Sequence, residues 1–416
     1  MRKSIRRKAY SGLVFNIIFV SLLASMLAST LKLITEHYQS EMFHKASNYF
    51  GVVLIFPLIG FTLIYLLRKL VFHNKPNKGI TEIYNTLENR KNELPFYKVL
   101  SHYANGFLTV IFGGSTGVEV STVVATAAIG SNAYKKTGLA YKYKTEIVAA
   151  AVAAGVATLF GSPFAGLFFA VEAIARKVSK TVVFSAVLAV IVASATTYFV
   201  GAEPLFVLHP KPWSLTALPY LVGLSILAGL ISVYFTKACL FIKSRFALIT
   251  NNTYRIILGA AIVGTAILFL PQLYGDSYHV VSGFLENTAN ITFSNSLGLL
   301  LLALIILKPL IASVTLGAGG DGGVFAPGMV IGALLGLLFA ISCNHYLGTH
   351  LIVINFMVIG MAAVLSGCIH APLTAIALFT TLSGSTLILI PIIIGCVIAK
   401  YTAKSVYQYS VYSYKV

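Results

Sequence analysis

The chain has 416 residues, of which 57% are hydrophobic and only 10% charged, against about 25% charged residues in a soluble domain. That composition excludes an ordinary soluble enzyme: water would demand a polar cover that the chain cannot supply, whereas lipid demands none, so an all-α polytopic membrane protein is expected. The net charge of +18 comes from a scarcity of acids, 12 Asp and Glu against 30 Lys and Arg; with no zinc-ligand spacing, recognition-helix domain or basic-aromatic repeat, it points to membrane topology and to no nucleic-acid partner.

In chain order, MRKSIRRKAY places five bases ahead of the apolar run SGLVFNIIFVSLLASMLASTLKLIT. That run is too long for a signal-peptide core and no cleavage site follows it, so residues 1–11 are expected as a basic cytoplasmic terminus before a first span. After the polar stretch EHYQSEMFHKASNY comes a second run, FGVVLIFPLIGFTLIYLLRKLVF, whose trailing Lys and Arg return to the side of the amino terminus. TEIYNTLENRKNELPFYKVLSHYANG is polar and amphipathic, while residues 107–134 are apolar but interrupted by Gly113, Gly114 and Gly117. The run at 146–174 is long enough to span, yet its GSP at 161–163 predicts a break or tilt. Broken helices are tolerated at membrane depth where protein or water covers the freed backbone, as along a permeation pathway. Further apolar runs lie near 180–199, 217–247, 254–272, 295–316, 323–343, 350–382 and 385–400. Cys239, Cys343, Cys368 and Cys396 sit in or beside such runs without a C-x-x-C pair, which suits small buried hydrophobes and no metal site.

Two internal echoes organise the chain. GGSTGVEVST at 113–122 is answered by GAGGDGGVFAPG at 317–328, and FGSPFAGLFF at 160–169 by IHAPLTAIAL at 369–378. Both pairs keep the same order, which predicts two related halves meeting around broken helices. Small-residue helix contacts can also produce such strings. A glycine segment ahead of an apolar run exposes the unpaired amides of a helix start, with the helix dipole aligned, and so makes an anion site without a basic side chain. A carboxylate in such a segment is costly in a bilayer and is retained for pairing, ion passage or proton movement. Glu119 is that carboxylate. Where two starts converge on one dehydrated anion, Glu119 competes for the same amides as a tethered plug, displaced when it takes a proton. Neither string has the Gly-Lys-Ser/Thr ending of a nucleotide loop.

At these residues the sequence resembles the CLC family of chloride channels and proton-coupled chloride transporters, from about residue 12 to Tyr407. GVEVST is similar to the family's Gly-Arg-Glu-Gly-Pro segment and puts Glu119 on the gating glutamate. GAGGDGGVFAPG is similar to the segment before another anion-binding helix and puts Phe325 on the chloride-contacting phenylalanine. AAVLSGCIHAPLTAIAL and LILIPIIIG resemble the closing helices, and YTAKSVYQYS puts Tyr407 on the tyrosine whose hydroxyl caps the central anion; Tyr409 matches less well by spacing. PNKGITEI at 76–83 aligns with the Gly-Ser-Gly-Ile-Pro-Glu segment, with Lys78 in place of the inner anion-binding serine. The resemblance thus implies an anion lining of Lys78, Gly79, Ile80, Gly117, Val118, Val120, Gly323, Val324, Phe325, Ala326 and Tyr407. It also implies a CLC-type fold of roughly eighteen helical segments, with two inverted-topology halves (12–200 and 201–407) and broken re-entrant helices, in a homodimer with one pore per subunit. A tail of 408–416 leaves no room for the cytoplasmic nucleotide-binding CBS domains of some members. No cofactor is implied, chloride being the transported ligand, with membrane lipids around it and the bacterial inner membrane as the expected location.

The departures bear on mechanism. Lys78 either binds the anion more strongly than a hydroxyl and alters selectivity, or snorkels into the cytoplasmic vestibule and concentrates anions there. Val118, Val120 and Ser121 replace Arg, Gly and Pro around Glu119. The inner proton-transfer glutamate aligns with Ala173, which cannot carry a proton, directly after Glu172. A proton pathway would therefore run through Glu119 and Glu172. Glu82, Glu172 and Asp321 also suit helix-end caps or vestibule lining, and His102 and His370 have proton-carrier chemistry without a signature position. Because of Ala173 the leading expectation is a passive chloride channel of the voltage-gated type. Proton-coupled exchange, transport of another small anion such as fluoride, and a non-transporting membrane assembly protein stay open; a membrane enzyme lacks a nucleophile, base and orienting group.

Overall fold

The computed structural model describes residues 2–48, 51–75, 77–89, 92–137, 143–176, 178–201, 205–206, 208–288 and 291–412. These form sixteen α-helices: α1 Arg2–Asn48, α2 Val52–Leu70, α3 Ile80–Glu88, α4 Tyr97–Ile111, α5 Glu119–Thr137, α6 Lys144–Phe160, α7 Pro163–Phe168, α8 Lys180–Val200, α9 Leu218–Ala247, α10 Asn252–Phe269, α11 Tyr278–Glu286, α12 Asn295–Ala318, α13 Phe325–Tyr346, α14 Val353–Ile369, α15 Pro372–Ser383 and α16 Leu389–Val406. A π-helical stretch, Phe169–Ala175, continues α7. With two short 3-10 turns, Leu215–Ala217 and Pro271–Leu273, the described residues hold helical segments in about the number expected. α1 runs unbroken from Arg2, through the basic residues and into the first apolar run.

Among the described residues, eight helices are long and apolar enough to cross a membrane. The first candidate span, Tyr10–Lys45, has 36 residues, about 54 Å of helix at 1.5 Å per residue, which exceeds a hydrocarbon layer of about 30 Å. Its outward side carries large apolar groups such as Phe15 and Met26, while its inward side is small or hydroxylated, with Ser21, Ala24, Ser25 and Ala28 buried. Lipid rewards that inversion, because van der Waals approach of backbones drives helix association there. The centre of the molecule is α6 and α14, buried almost throughout their length, with α13 packed along α14. A methyl group on Gly332 of α13 would lie 2.3 Å from the Gly360 carbonyl of α14, so only glycine allows that crossing.

Both breaks implied by the echoed segments are present. α6 ends at Gly161 in the left-handed region (φ 64°), and Ser162 caps α7 by accepting the Ala165 amide at 3.2 Å, with Pro163 in the first turn. The apolar run 350–382 is divided in the same manner: His370 is left-handed (φ 55°) and Pro372 opens α15. Each start of a short helix is therefore set by a proline that needs no amide partner.

Candidate anion-binding site

The two glycine strings meet. Gly117 and Gly323 form an isolated antiparallel bridge, which sets the start of α5 against the start of α13. Glycine is required on both strands: a Cβ on Gly323 would lie 2.1 Å from Val120 Cγ2, and one on Gly117 would lie 2.2 Å from Glu119 Oε2. The two loops hold one another reciprocally. The Ser115 amide donates to Thr315 Oγ1 at 3.1 Å, and the Asp321 amide donates to Thr109 Oγ1 at 2.8 Å. Thr109 and Ser115 in the first half stand at the same spacing as Thr315 and Asp321 in the second, so one hydrogen bond is made twice, each time across the halves. Free first-turn amides and two helix dipoles converge where these starts face each other.

Glu119 fills that meeting point. Its side chain is buried, its Oε1 accepts the Tyr278 hydroxyl, and the main-chain amides of Glu119 and Ala326 interact with the carboxylate. Oε2 has no well-formed hydrogen bond. A carboxylate on these amides stands where an anion would, so the two compete for one set of donors. Val118, Val120, Val324 and Ala326 are all buried around the bridge and give it apolar walls.

Phe325, at the first position of α13, is 1% exposed and packs tilted against Phe160 at 5.8 Å and edge-on against Phe169 at 5.5 Å between centroids. The tyrosine beside it is Tyr412, at 6.4 Å, and not the expected Tyr407. Tyr407 ends α16, with its ring 5.8 Å from Tyr409 and under the ammonium of Lys237 at 5.4 Å. After α16 the chain turns back inward: the Val411 amide donates to the Cys368 carbonyl at 3.3 Å, and this brings Tyr412 to the core. The sequence places Tyr407 by motif position; the return of the chain is a tertiary contact, and its single local signal is the tyrosine-rich run YQYSVYSY.

Gly79 is left-handed (φ 65°), and a Cβ there would lie 3.7 Å from Val120 Cγ1, so the start of α3 does adjoin the start of α5, with Ile80 buried. Lys78 is exposed, and its own amide donates to Glu82 Oε1. Its exposure suits the reading in which the side chain snorkels into the vestibule. A buried cation stands behind the loop that leads to Glu119: Lys308, 1% exposed in α12, whose Nζ donates to Ser115 Oγ (2.9 Å), the Gly275 carbonyl (2.9 Å) and Ser277 Oγ (2.6 Å). Sequence reasoning missed it, although one lysine inside LLALIILKPLIASV is a signal of a paired intramembrane charge.

Glu172 is a cap. Its Oε2 accepts the Thr374 amide and hydroxyl, each at 3.0 Å, at the start of α15. Ala173 lies beside it, its carbonyl accepting Tyr84 Oη at 2.9 Å. Glu82 pairs with Lys98 at 2.9 Å, and Asp321 pairs with His102 Nδ1 at 2.9 Å and accepts Asn77 Nδ2 at 2.6 Å. Asp321 therefore has side-chain partners as well as a place at a helix approach. Among the described residues no three His, Cys, Asp or Glu side chains are grouped to hold a metal ion.

Comparison with known proteins agrees with this geometry. The chain is 27% identical over 376 residues to a putative chloride channel protein ClcB-like of Ralstonia nicotianae, covering 86% of this chain and 82% of the relative. It is 26% identical over 399 residues to the H(+)/Cl(-) exchange transporter ClcA of Vibrio parahaemolyticus, covering 91% and 82%. The crystal structure of a CLC-type fluoride/proton antiporter superposes with a TM-score of 0.83 over 97% of each chain at 22% identity, which shows a shared fold. The sequence model described as voltage gated chloride channel matches residues 59–404. With its paired helix starts, its CLC-type fold and that match over most of its length, the chain belongs to the CLC family of voltage gated chloride channels and transporters.

Proposed function

We propose that this integral membrane protein is a proton-coupled chloride antiporter in which Glu119 is the group that chloride and proton share. The observation that carries the proposal is the place of the Glu119 carboxylate on the joined starts of α5 and α13. Ionised, it occupies the amides and excludes chloride. Protonated, it gains little from the two dipoles, leaves the amides, and chloride takes its place. Loss of the proton restores the charge, and the returning carboxylate displaces the anion. One set of donors served alternately by a tethered and a mobile anion ties the movement of chloride to that of a proton.

Phe325 gives the site an apolar wall, and the Tyr412 hydroxyl beside it is buried without a hydrogen-bond partner among the described residues. A buried donor in that state suits an anion as acceptor. The Vibrio relatives are named exchangers, which favours coupled exchange over the passive channel expected from Ala173. We take the assembly to be a homodimer with a site in each subunit, in the inner membrane of a bacterial cell as its bacterial relatives suggest.

The test is simultaneous recording of chloride and proton flux from purified protein in liposomes under a chloride gradient. Uphill proton movement driven by chloride, lost in Glu119→Gln while chloride still moves, is expected. Chloride flux with no proton movement in the unmodified protein would return the passive channel, and fluoride flux without chloride flux would change the anion.

A further inference from the structure

We infer that Tyr278 is the latch of the Glu119 gate and that the surface cavity it lines is the gate's outer mouth. Tyr278 touches both: its hydroxyl donates to Glu119 Oε1, and its side chain lines a cavity of about 300 Å³ shared with Glu36, Gln39, His44, Asp276 and His279. The side of the membrane follows from α1. Glu36, Gln39 and His44 lie near the end of that helix away from the basic residues at its start, so the cavity opens on the face opposite the cytoplasmic amino terminus.

The hydroxyl is held in place with little freedom. Tyr278 follows a turn, 275–277, in which Ser277 is left-handed (φ 65°). Lys308 grips that turn by the Gly275 carbonyl and Ser277 Oγ and ties it to Ser115, in the loop that leads into α5. Asp276 is fixed from the other side by Gln39 of α1 at 2.9 Å, and its Oδ1 also takes the Tyr278 amide at 3.0 Å. The ring packs edge-on against Phe206 at 5.2 Å. A donor fixed in this way prefers the ionised carboxylate in the anion site over the protonated one, because a hydrogen bond to a charged acceptor is the stronger. The charged and titratable groups that face Tyr278 and Glu119 are Glu36 and His44 from α1, Asp276 from the turn, His279 from α11 and Lys308 from α12.

The latch has a sidedness that a purely structural tyrosine lacks. In Tyr278→Phe the ionised form loses a donor and Glu119 takes a proton at a higher external pH. The external pH of half-maximal chloride flux is expected to rise by about one unit, as for a lost hydrogen bond to a charged group, while the dependence on internal pH stays where it was. An equal shift from both faces, or intact flux with no shift, would overturn the latch. Should Tyr278→Phe not fold, His279→Cys tests the mouth: a membrane-impermeant thiol reagent added outside is expected to slow chloride flux at least threefold, with the unmodified chain as control. Labelling without slowing would overturn the mouth.

This inference rests on Glu119 as the shared gate, and its failure is separable from that of the antiport reading. The readout is chloride flux against external pH and needs no proton movement, so a passive channel with a latched Glu119 would still show the shift.

Discussion

The starts of α5 and α13 are built alike and equipped differently. Both follow glycine strings, both lend amides to one site, and each loop is held by a threonine of the other half. The α5 start carries its own anion, Glu119, held through Tyr278. The α13 start carries Phe325 in an aromatic group with Phe160, Phe169 and Tyr412. Symmetric donors with one tethered acceptor give a site that can be occupied in two ways. Had both starts carried a carboxylate, two like charges would have faced each other in a buried space and one would have stayed protonated.

Several substitutions would break or sharpen that comparison. The largest effect belongs to Glu119→Gln, which removes the asymmetry and is expected to abolish proton movement. Next is Gly117→Ala, whose methyl group would lie 2.2 Å from Glu119 Oε2. It should push the carboxylate off the amides and lower coupled exchange by more than about tenfold, at a packing cost of about 1–3 kcal/mol. Gly323→Ala meets Val120 instead and should lower thermal stability in detergent with a smaller loss of coupling. Equal coupling losses in the two variants would contradict the assignment of the carboxylate to the α5 side.

Tyr412 and Tyr407 separate the site from its surroundings. Tyr412→Phe should weaken chloride binding by calorimetry about five- to tenfold, the size of one hydrogen bond of about 1 kcal/mol, and Tyr407→Phe should leave it within about twofold. The reverse ranking would restore the position implied by the motif. The smallest expected effect tests the symmetry itself. Thr109→Val and Thr315→Val each leave one loop amide without its acceptor, at a cost of about 1 kcal/mol. Their losses in melting temperature should match; a several-fold difference would show that the two halves do not hold one another equally.

Much of this was legible in the chain. The GSP at 161–163 and the proline after His370 mark the two breaks because proline has no amide to donate and fixes its own backbone. Glu119 stood out because an acid among glycines and apolar runs has few uses in a bilayer other than pairing or transport. The glycine string ahead of Phe325 marked a helix start, and the structure opens α13 at that residue. Two positions were less legible. The motif resemblance placed Tyr407, and motif position cannot show that the chain turns back along Cys368 to bring Tyr412 inward. The same resemblance placed Lys78, whose exposure reflects that a lysine at the start of a short helix finds water when water is within reach. Lys308 and Tyr278, far from Glu119 in sequence, belong to no motif.

What the sequence by itself determined was the solvent, the helical class, the breaks and the presence of one acid, Glu119, at a glycine-rich helix start, since each follows from local backbone chemistry and from the cost of polar groups in lipid. Only the tertiary structure decided which tyrosine stands by Phe325, which cation stands behind the loop that leads to Glu119 and which hydroxyl holds its carboxylate. Those are meetings between segments far apart in the chain, fixed by helix packing and by the reciprocal bonds of the two loops, and no local pattern encodes them.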